Sequence, residues 1–86
     1  LTAIFEQVMQ NIENFDNKKQ LSVENSDIYK QLLDGTLELY KAGYKTKYDV
    51  DLLQNSADIQ DINIKIFEID KQLELLTLYE TYKNEL

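Results

Sequence analysis

The chain has 86 residues, with nine lysines, no arginine and sixteen aspartates and glutamates, so its formal net charge is −7. It contains no cysteine, histidine, tryptophan or proline, which excludes disulfide bonds and thiolate or imidazole metal sites. An acidic chain is also a poor candidate for nucleic-acid binding, because neutralisation of phosphates supplies most of that affinity.

The first half of the chain predicts one long helix over residues 2–42. Apolar residues recur at helical spacing from Ile4 to Phe15 and again from Ile28 to Tyr40, with a polar stretch between them. Ser22 or Ser26 could cap a fresh helix in that stretch, so a break near residues 20–26 is the alternative. The absence of proline and glycine there favours continuity.

The chain turns at Gly43, where the sequence predicts a turn over residues 43–45. Glycine can adopt the left-handed conformation that ends a helix, because it has no Cβ to clash. Residues 46–49 then form a capping-box sequence, in which Thr46 and Asp49 exchange hydrogen bonds with each other's backbone amides. A second helix is therefore predicted over residues 46–84.

The second helix carries two apolar stripes. The first has the alternating three- and four-residue steps of a coiled coil from Ile59 onward; its members are Leu52, Ile59, Ile62, Ile66, Ile69, Leu73 and Leu76. The second is predicted about 100° away around the helix; its members are Val50, Leu53, Ala57, Ile64, Phe67, Leu78 and Tyr82. Two stripes are more than one neighbour can cover, so this helix is expected to have partners on two sides.

The predicted fold class is all-α: a long antiparallel coiled-coil hairpin with arms ~60 Å long at 1.5 Å per residue. Apolar surface remains after one seam has formed. We therefore expect the isolated chain to self-associate through the face that carries Ile64, Phe67 and Leu78. The chain begins without methionine, and we interpret it as a fragment of a larger protein. No run approaches the ~20 apolar residues of a membrane-spanning helix.

The turn and the helix after it resemble the periplasmic helical hairpin of TolC-type outer-membrane efflux proteins. The resemblance lies in an aromatic-small-Gly segment, a short turn with a basic residue and Thr, and a following Asp-Val run. The matching residues are Tyr40-Lys41-Ala42-Gly43-Tyr44-Lys45-Thr46-Lys47-Tyr48-Asp49-Val50-Asp51-Leu52-Leu53-Gln54. It covers about residues 28–82 well, and residues 1–27 by pattern.

The resemblance implies a trimeric channel in the outer membrane of a Gram-negative bacterium, with this hairpin in its periplasmic α-barrel. The turn would lie at the periplasmic aperture, where it gates the channel and meets a periplasmic adaptor protein that links it to an inner-membrane pump. The aperture and gating positions map onto Tyr40, Lys45 and Asp49, and the adaptor-docking turn onto Gly43, Tyr44, Lys45 and Thr46. The family's second aperture acid falls on Leu52, which is not acidic.

The alternative is a structural coiled-coil interaction module, such as the hairpin of an adaptor or scaffold, with no channel role. An enzyme is not expected, because the chain lacks His, Cys, Arg and any Gly-rich phosphate loop. Asp49-Val50-Asp51 is similar to the start of a calcium loop, but the glycine and the closing glutamate of such a loop are missing. No cofactor or metal is therefore expected.

Overall fold

The protein is an α-helical hairpin. The computed structural model describes residues 2–85, which form two α-helices, α1 (Thr2–Lys41) and α2 (Lys47–Glu85). The predicted turn lies inside the connection formed by residues 42–46. The helices run antiparallel to give a rod of 66 × 15 × 12 Å, close to the length that the sequence predicts.

Helix α1 is continuous through the polar stretch at residues 20–26. Ser22 and Ser26 do not cap a new helix there; both are buried against α2. The Ser26 hydroxyl donates a hydrogen bond to the Asp61 carboxylate across the interface, at 2.8 Å. Polar residues in this segment therefore serve the contact between the helices and do not interrupt α1.

The two helices meet along a seam with alternating three- and four-residue steps in both, which is the coiled-coil pattern. Every seam position is buried or half-buried. In α1 the seam residues are Val8, Ile12, Phe15, Lys19, Ser22, Ser26, Tyr29, Leu33 and Thr36. In α2 they are Val50, Leu53, Ala57, Gln60, Ile64, Phe67, Lys71, Glu74, Leu78 and Thr81.

Polar contacts fix the register of the seam. Lys19 pairs with Glu68 at 2.7 Å and Lys71 pairs with Asp16 at 3.1 Å. Further along the rod, the Asn11 side-chain amide donates to the Glu74 carboxylate at 3.1 Å. Exposed ion pairs add little stability individually, but a shift by one heptad would bring none of these partners together.

The face of α2 that meets α1 carries six of the seven residues of the second predicted stripe, whereas Tyr82 remains exposed. Ile64, Phe67 and Leu78 lie on the seam and are half-buried. The prediction that the chain self-associates through these three residues therefore names the wrong face.

The first stripe of α2 lies on the outer side of the rod, and we call it the outer stripe. All its members are 44–58% exposed: Leu52, Ile59, Ile62, Ile66, Ile69, Leu73 and Leu76. Each precedes a seam residue by one or two positions, so the two faces are separated by roughly 150° at 100° per residue. The two stripes thus lie on nearly opposite faces of α2, whereas the sequence pattern predicts that they are adjacent.

The composition of α1 explains this choice of face. Its middle section offers Asp16, Lys19 and Ser26 to the seam. Isoleucines of the outer stripe would leave these groups without partners, and for Ser26, which is buried, the loss would be costly. The seam face of α2 instead supplies Asp61, Glu68 and Lys71.

A substitution at the tightly packed Ala57 tests whether the helices meet along this seam. Ala57 is 1% exposed, the most enclosed residue of the described core. Ala57→Leu should destabilise the hairpin by ~1–3 kcal/mol, because three added carbons force the helices apart. Thermal unfolding followed by circular dichroism measures the effect, with Ala3→Leu, on an exposed position of α1, as the matched control. Equal melting temperatures for the two variants would contradict the seam.

Candidate functional site

The candidate site is the turn end of the rod, and it begins where α1 stops. The Gly43 amide donates to the carbonyl of Tyr40 at 3.0 Å, and the Tyr44 amide donates to the carbonyl of Leu39 at 2.8 Å. These two bonds define a Schellman motif, which satisfies carbonyls left open at a helix end. Gly43 has φ of 86°, a conformation that side chains with a Cβ rarely adopt. The predicted glycine stop is thus confirmed.

Helix α2 begins with the predicted capping box. The Asp49 amide donates to the Thr46 hydroxyl at 3.3 Å, while the Thr46 amide donates to Asp49 Oδ2 at 2.9 Å. The Thr46 hydroxyl also donates to the same carboxylate oxygen at 3.0 Å. With a Schellman motif before it and a capping box after it, the five-residue connection holds both helix ends in a defined geometry.

Asp49 is the only acidic residue in the first turn of α2. Hydrogen bonds from the Thr46 backbone amide and then from its side chain hold the pKa of Asp49 below its ordinary value of 3.8, and the positive charge of Lys45 acts in the same direction. The carboxylate is therefore ionised at neutral pH. Its Oδ1 has no hydrogen-bond partner within the described residues, so one oxygen remains open to solvent or a ligand.

Aromatic and basic side chains surround the turn, and we call them the tip cluster: Tyr40, Lys41, Tyr44, Lys45, Lys47 and Tyr48. All six are exposed. Tyr44 and Tyr48 are 79% and 72% exposed, against 42% for Tyr40. Across residues 2–85, no carboxylate lies within 4 Å of the three lysine Nζ atoms. The cluster is thus an exposed surface of cations and aromatic rings.

The proposed aperture residues all belong to this end of the rod. Tyr40 lies in the last turn of α1, Lys45 in the connection and Asp49 in the first turn of α2. The predicted docking residues Gly43, Tyr44 and Thr46 lie between them. The structure gives Gly43, Thr46 and Asp49 a role in helix capping, whereas Tyr44 and Lys45 are free of intramolecular side-chain bonds within the described part of the chain.

The ion-pair partners across the seam are not apparent from local sequence patterns. Lys19 and Glu68 are 49 positions apart, and neither breaks the local helical pattern. A usable signal exists, because opposite charges at equal distances from the turn face each other in an antiparallel hairpin. Residues 16 and 19 are matched in this way with 71 and 68, and the hydrogen-bonded pair Ser26 and Asp61 lies at equal distances from the turn as well.

A groove of about 660 Å³ runs beside these ion pairs. Its lining includes Ile69, Leu73 and Leu76 of the outer stripe, together with Lys19 and Lys71. The groove is therefore continuous with the exposed apolar face of α2. It extends the surface on which a neighbouring helix could pack.

Over residues 2–85, neither helix has a stretch long and apolar enough to cross a membrane. The same residues contain no cluster of three carboxylate, imidazole or thiol side chains with the geometry of a metal site.

Comparison of the chain with protein families, curated proteins and solved structures gave no match.

Removing the cap at Thr46 should destabilise the hairpin. We expect Thr46→Ala to lower the free energy of unfolding by ~1 kcal/mol at pH 7, the usual cost of losing an N-cap. Urea unfolding followed by circular dichroism measures this change, with Thr77→Ala on the exposed body of α2 as the control.

The effect of Thr46→Ala should depend on pH. Because the folded pKa of Asp49 is lowered, its contribution is present above the unfolded pKa and is lost as pH falls through the folded value. The difference in the free energy of unfolding between wild type and Thr46→Ala should therefore shrink as pH falls below about 4. A difference that stays constant down to pH 2 would show that the Thr46 hydroxyl does not stabilise the Asp49 carboxylate; the bond from the backbone amide of residue 46 is not tested, because alanine retains that donor.

Proposed function

We propose that this hairpin is the periplasmic segment of a TolC-type channel in the outer membrane of a Gram-negative bacterium. In this proposal three protomers form the channel, and the turn lies at its periplasmic aperture. The observation that carries the proposal is the distribution of apolar residues on α2. One face packs on α1, and the outer stripe on the nearly opposite face is exposed.

A helix with apolar residues on two opposite faces fits into a wall of neighbouring helices. In a barrel of α-helices each helix has a neighbour on both flanks, so two apolar faces are needed. A free-standing hairpin needs only one face and should have polar residues on the other. The outer stripe thus favours the channel over the alternative of an isolated coiled-coil module.

The accessible surface of the rod supports assembly. It amounts to 6458 Å², whereas a compact monomer of 10.1 kDa exposes about 5300 Å². The excess of about 1200 Å² exceeds the ~800 Å² that each partner buries in a typical stable interface. The groove beside Ile69 and Leu73 offers space for side chains of the neighbouring helix.

Sequence resemblance and local geometry both support a position of the turn at the aperture. Tyr40, Lys45 and Asp49 match the gating positions of the TolC-type family. Asp49 is held ionised by Thr46 and Lys45, and a ring of three such carboxylates would attract cations at a narrow opening. The exposed residues of the turn would meet the adaptor protein, which connects the channel to a pump in the inner membrane.

Self-association tests the assembly step. We expect the isolated chain to form oligomers in analytical ultracentrifugation, and Ile69→Glu to abolish them because it places a charge in the outer stripe. The matched control is Tyr79→Glu, since Tyr79 is 61% exposed against 58% for Ile69 but lies outside the stripe. Circular dichroism should show both variants helical.

A monomeric wild-type chain at high concentration would contradict the role of the outer stripe. Equal loss of association in the two variants would also count against it, because added charge alone would then explain the result.

Ion selectivity tests the position of Asp49 in the intact channel. We expect Asp49→Asn to fold, since asparagine retains much of the capping capacity, and to show reduced preference for cations. Reversal potentials across planar bilayers under a salt gradient measure this preference.

Asp51→Asn is the matched control, because it removes the same charge two positions along the helix, roughly 200° away. Selectivity that is unchanged in Asp49→Asn would leave this residue with capping as its role.

A further inference from the structure

The charge of the chain is divided unevenly between the turn and the rest of the rod. Residues 40–48 contain three lysines and no carboxylate, a local charge of +3, and Glu38, Asp49 and Asp51 flank this segment. The other 77 residues contain six lysines and sixteen carboxylates, so they carry −10. The rod is thus acidic along its length and basic at one end.

The lysines of the tip cluster are not used inside the molecule. Lys19, Lys30 and Lys71 each pair with a carboxylate of the opposite helix. Lys41, Lys45 and Lys47 have no such partner in the described residues: Glu38 and Asp51 form no ion pair with them, and Asp49 is engaged with Thr46. Their charge is therefore available to a binding partner.

The aromatic members of the tip cluster point to a protein surface. Tyr44 and Tyr48 are the two most exposed of the large apolar side chains in the described part of the chain. Tyrosine is enriched in protein interfaces, because its ring buries apolar area and its hydroxyl still forms a hydrogen bond. Two such rings among three unpaired lysines form an amphipathic surface for contact.

The shape of the rod restricts the partner. Its cross-section is 15 × 12 Å, so a flat surface meeting it end-on would cover only about 180 Å², far below the ~800 Å² per partner of a typical interface. A stable contact must surround the sides of the turn. The partner surface is therefore concave.

We propose that the tip cluster inserts into a concave protein surface lined with carboxylates, which pair with Lys41, Lys45 and Lys47 while Tyr44 and Tyr48 pack on its walls. The inference rests on the proposed function only in choosing a protein as the partner. An anionic membrane fits less well, because sites for acidic lipids carry clusters of 4–8 basic residues and a flat bilayer cannot enclose the turn.

NMR titration of the ¹⁵N-labelled chain tests this inference, with poly-L-glutamate as the probe. A polymer of about twenty residues, at ~3.4 Å per residue, is long enough to surround the turn, and one of about six is not. We expect chemical-shift changes confined to residues 38–51, weaker binding in high salt, and tighter binding of the longer polymer.

Two triple variants with equal net charge separate local from overall electrostatics. In the tip variant, Lys41→Gln, Lys45→Gln and Lys47→Gln should weaken binding about tenfold, since three exposed ion pairs are lost. In the body variant, Lys18→Gln, Lys65→Gln and Lys83→Gln should leave it unchanged, because no described carboxylate pairs with these lysines. Replacing the three tip lysines by arginine should preserve binding because the charge is kept, and circular dichroism of the glutamine variant should show an unchanged helical hairpin.

The proposal is overturned if poly-L-glutamate causes no shifts, if the shifts spread along the rod, or if the body variant loses as much affinity as the tip variant. Equal affinity for the two polymer lengths contradicts the inference that the partner surface is concave. Tighter binding to vesicles of phosphatidylglycerol than to the polymer assigns the tip to a membrane instead. The titration can be carried out without an assembled channel. If the chain binds the polymer but stays monomeric, only the proposed function is contradicted. If the chain assembles but does not bind the polymer, only this inference is contradicted.

Discussion

Contacts between polar side chains of the two helices decide which surface of this molecule is buried and which is left exposed. Ser26 bonds to Asp61, Lys19 to Glu68 and Asp16 to Lys71. Each contact is worth little alone, but together they define one register and one face. Burying the isoleucines of the outer stripe against α1 would leave the buried Ser26 hydroxyl without its partner Asp61, and an unpaired polar group at a buried position is costly.

The exposed outer stripe is the direct consequence of that choice. The seam of this hairpin combines apolar residues with polar and small ones, and a further set of large aliphatic residues remains exposed on the outer stripe. Ala57 and the two buried serines allow the helices to approach closely, whereas Ile62, Ile66 and Ile69 face outward. Intramolecular folding and the proposed assembly thus use different faces of the same helix, so either can be altered by substitution without destroying the other.

The turn serves the fold with its backbone and capping residues and leaves its larger side chains exposed. Gly43, Thr46 and Asp49 satisfy the helix ends. The side chains of Tyr44 and Lys45 form no hydrogen bond in that network within the described residues, although the Tyr44 backbone amide does, and both side chains extend from a rigid base. A surface held on fixed backbone loses less entropy on binding than one on a mobile loop, which makes this end of the rod a suitable position for recognition.

The sequence by itself determined the two helices, the turn at Gly43 and the cap formed by Thr46 and Asp49. These features depend on residues at most five positions apart, and local chemistry decides them. Only the tertiary structure decided which stripe of α2 is buried. The outer stripe has the more regular spacing of apolar residues. Such periodicity shows that a face is apolar, but it does not show which surface covers that face. The answer came from pairs such as Lys19 and Glu68, which are distant in the chain and meet only because the turn fixes the rotation of one helix against the other.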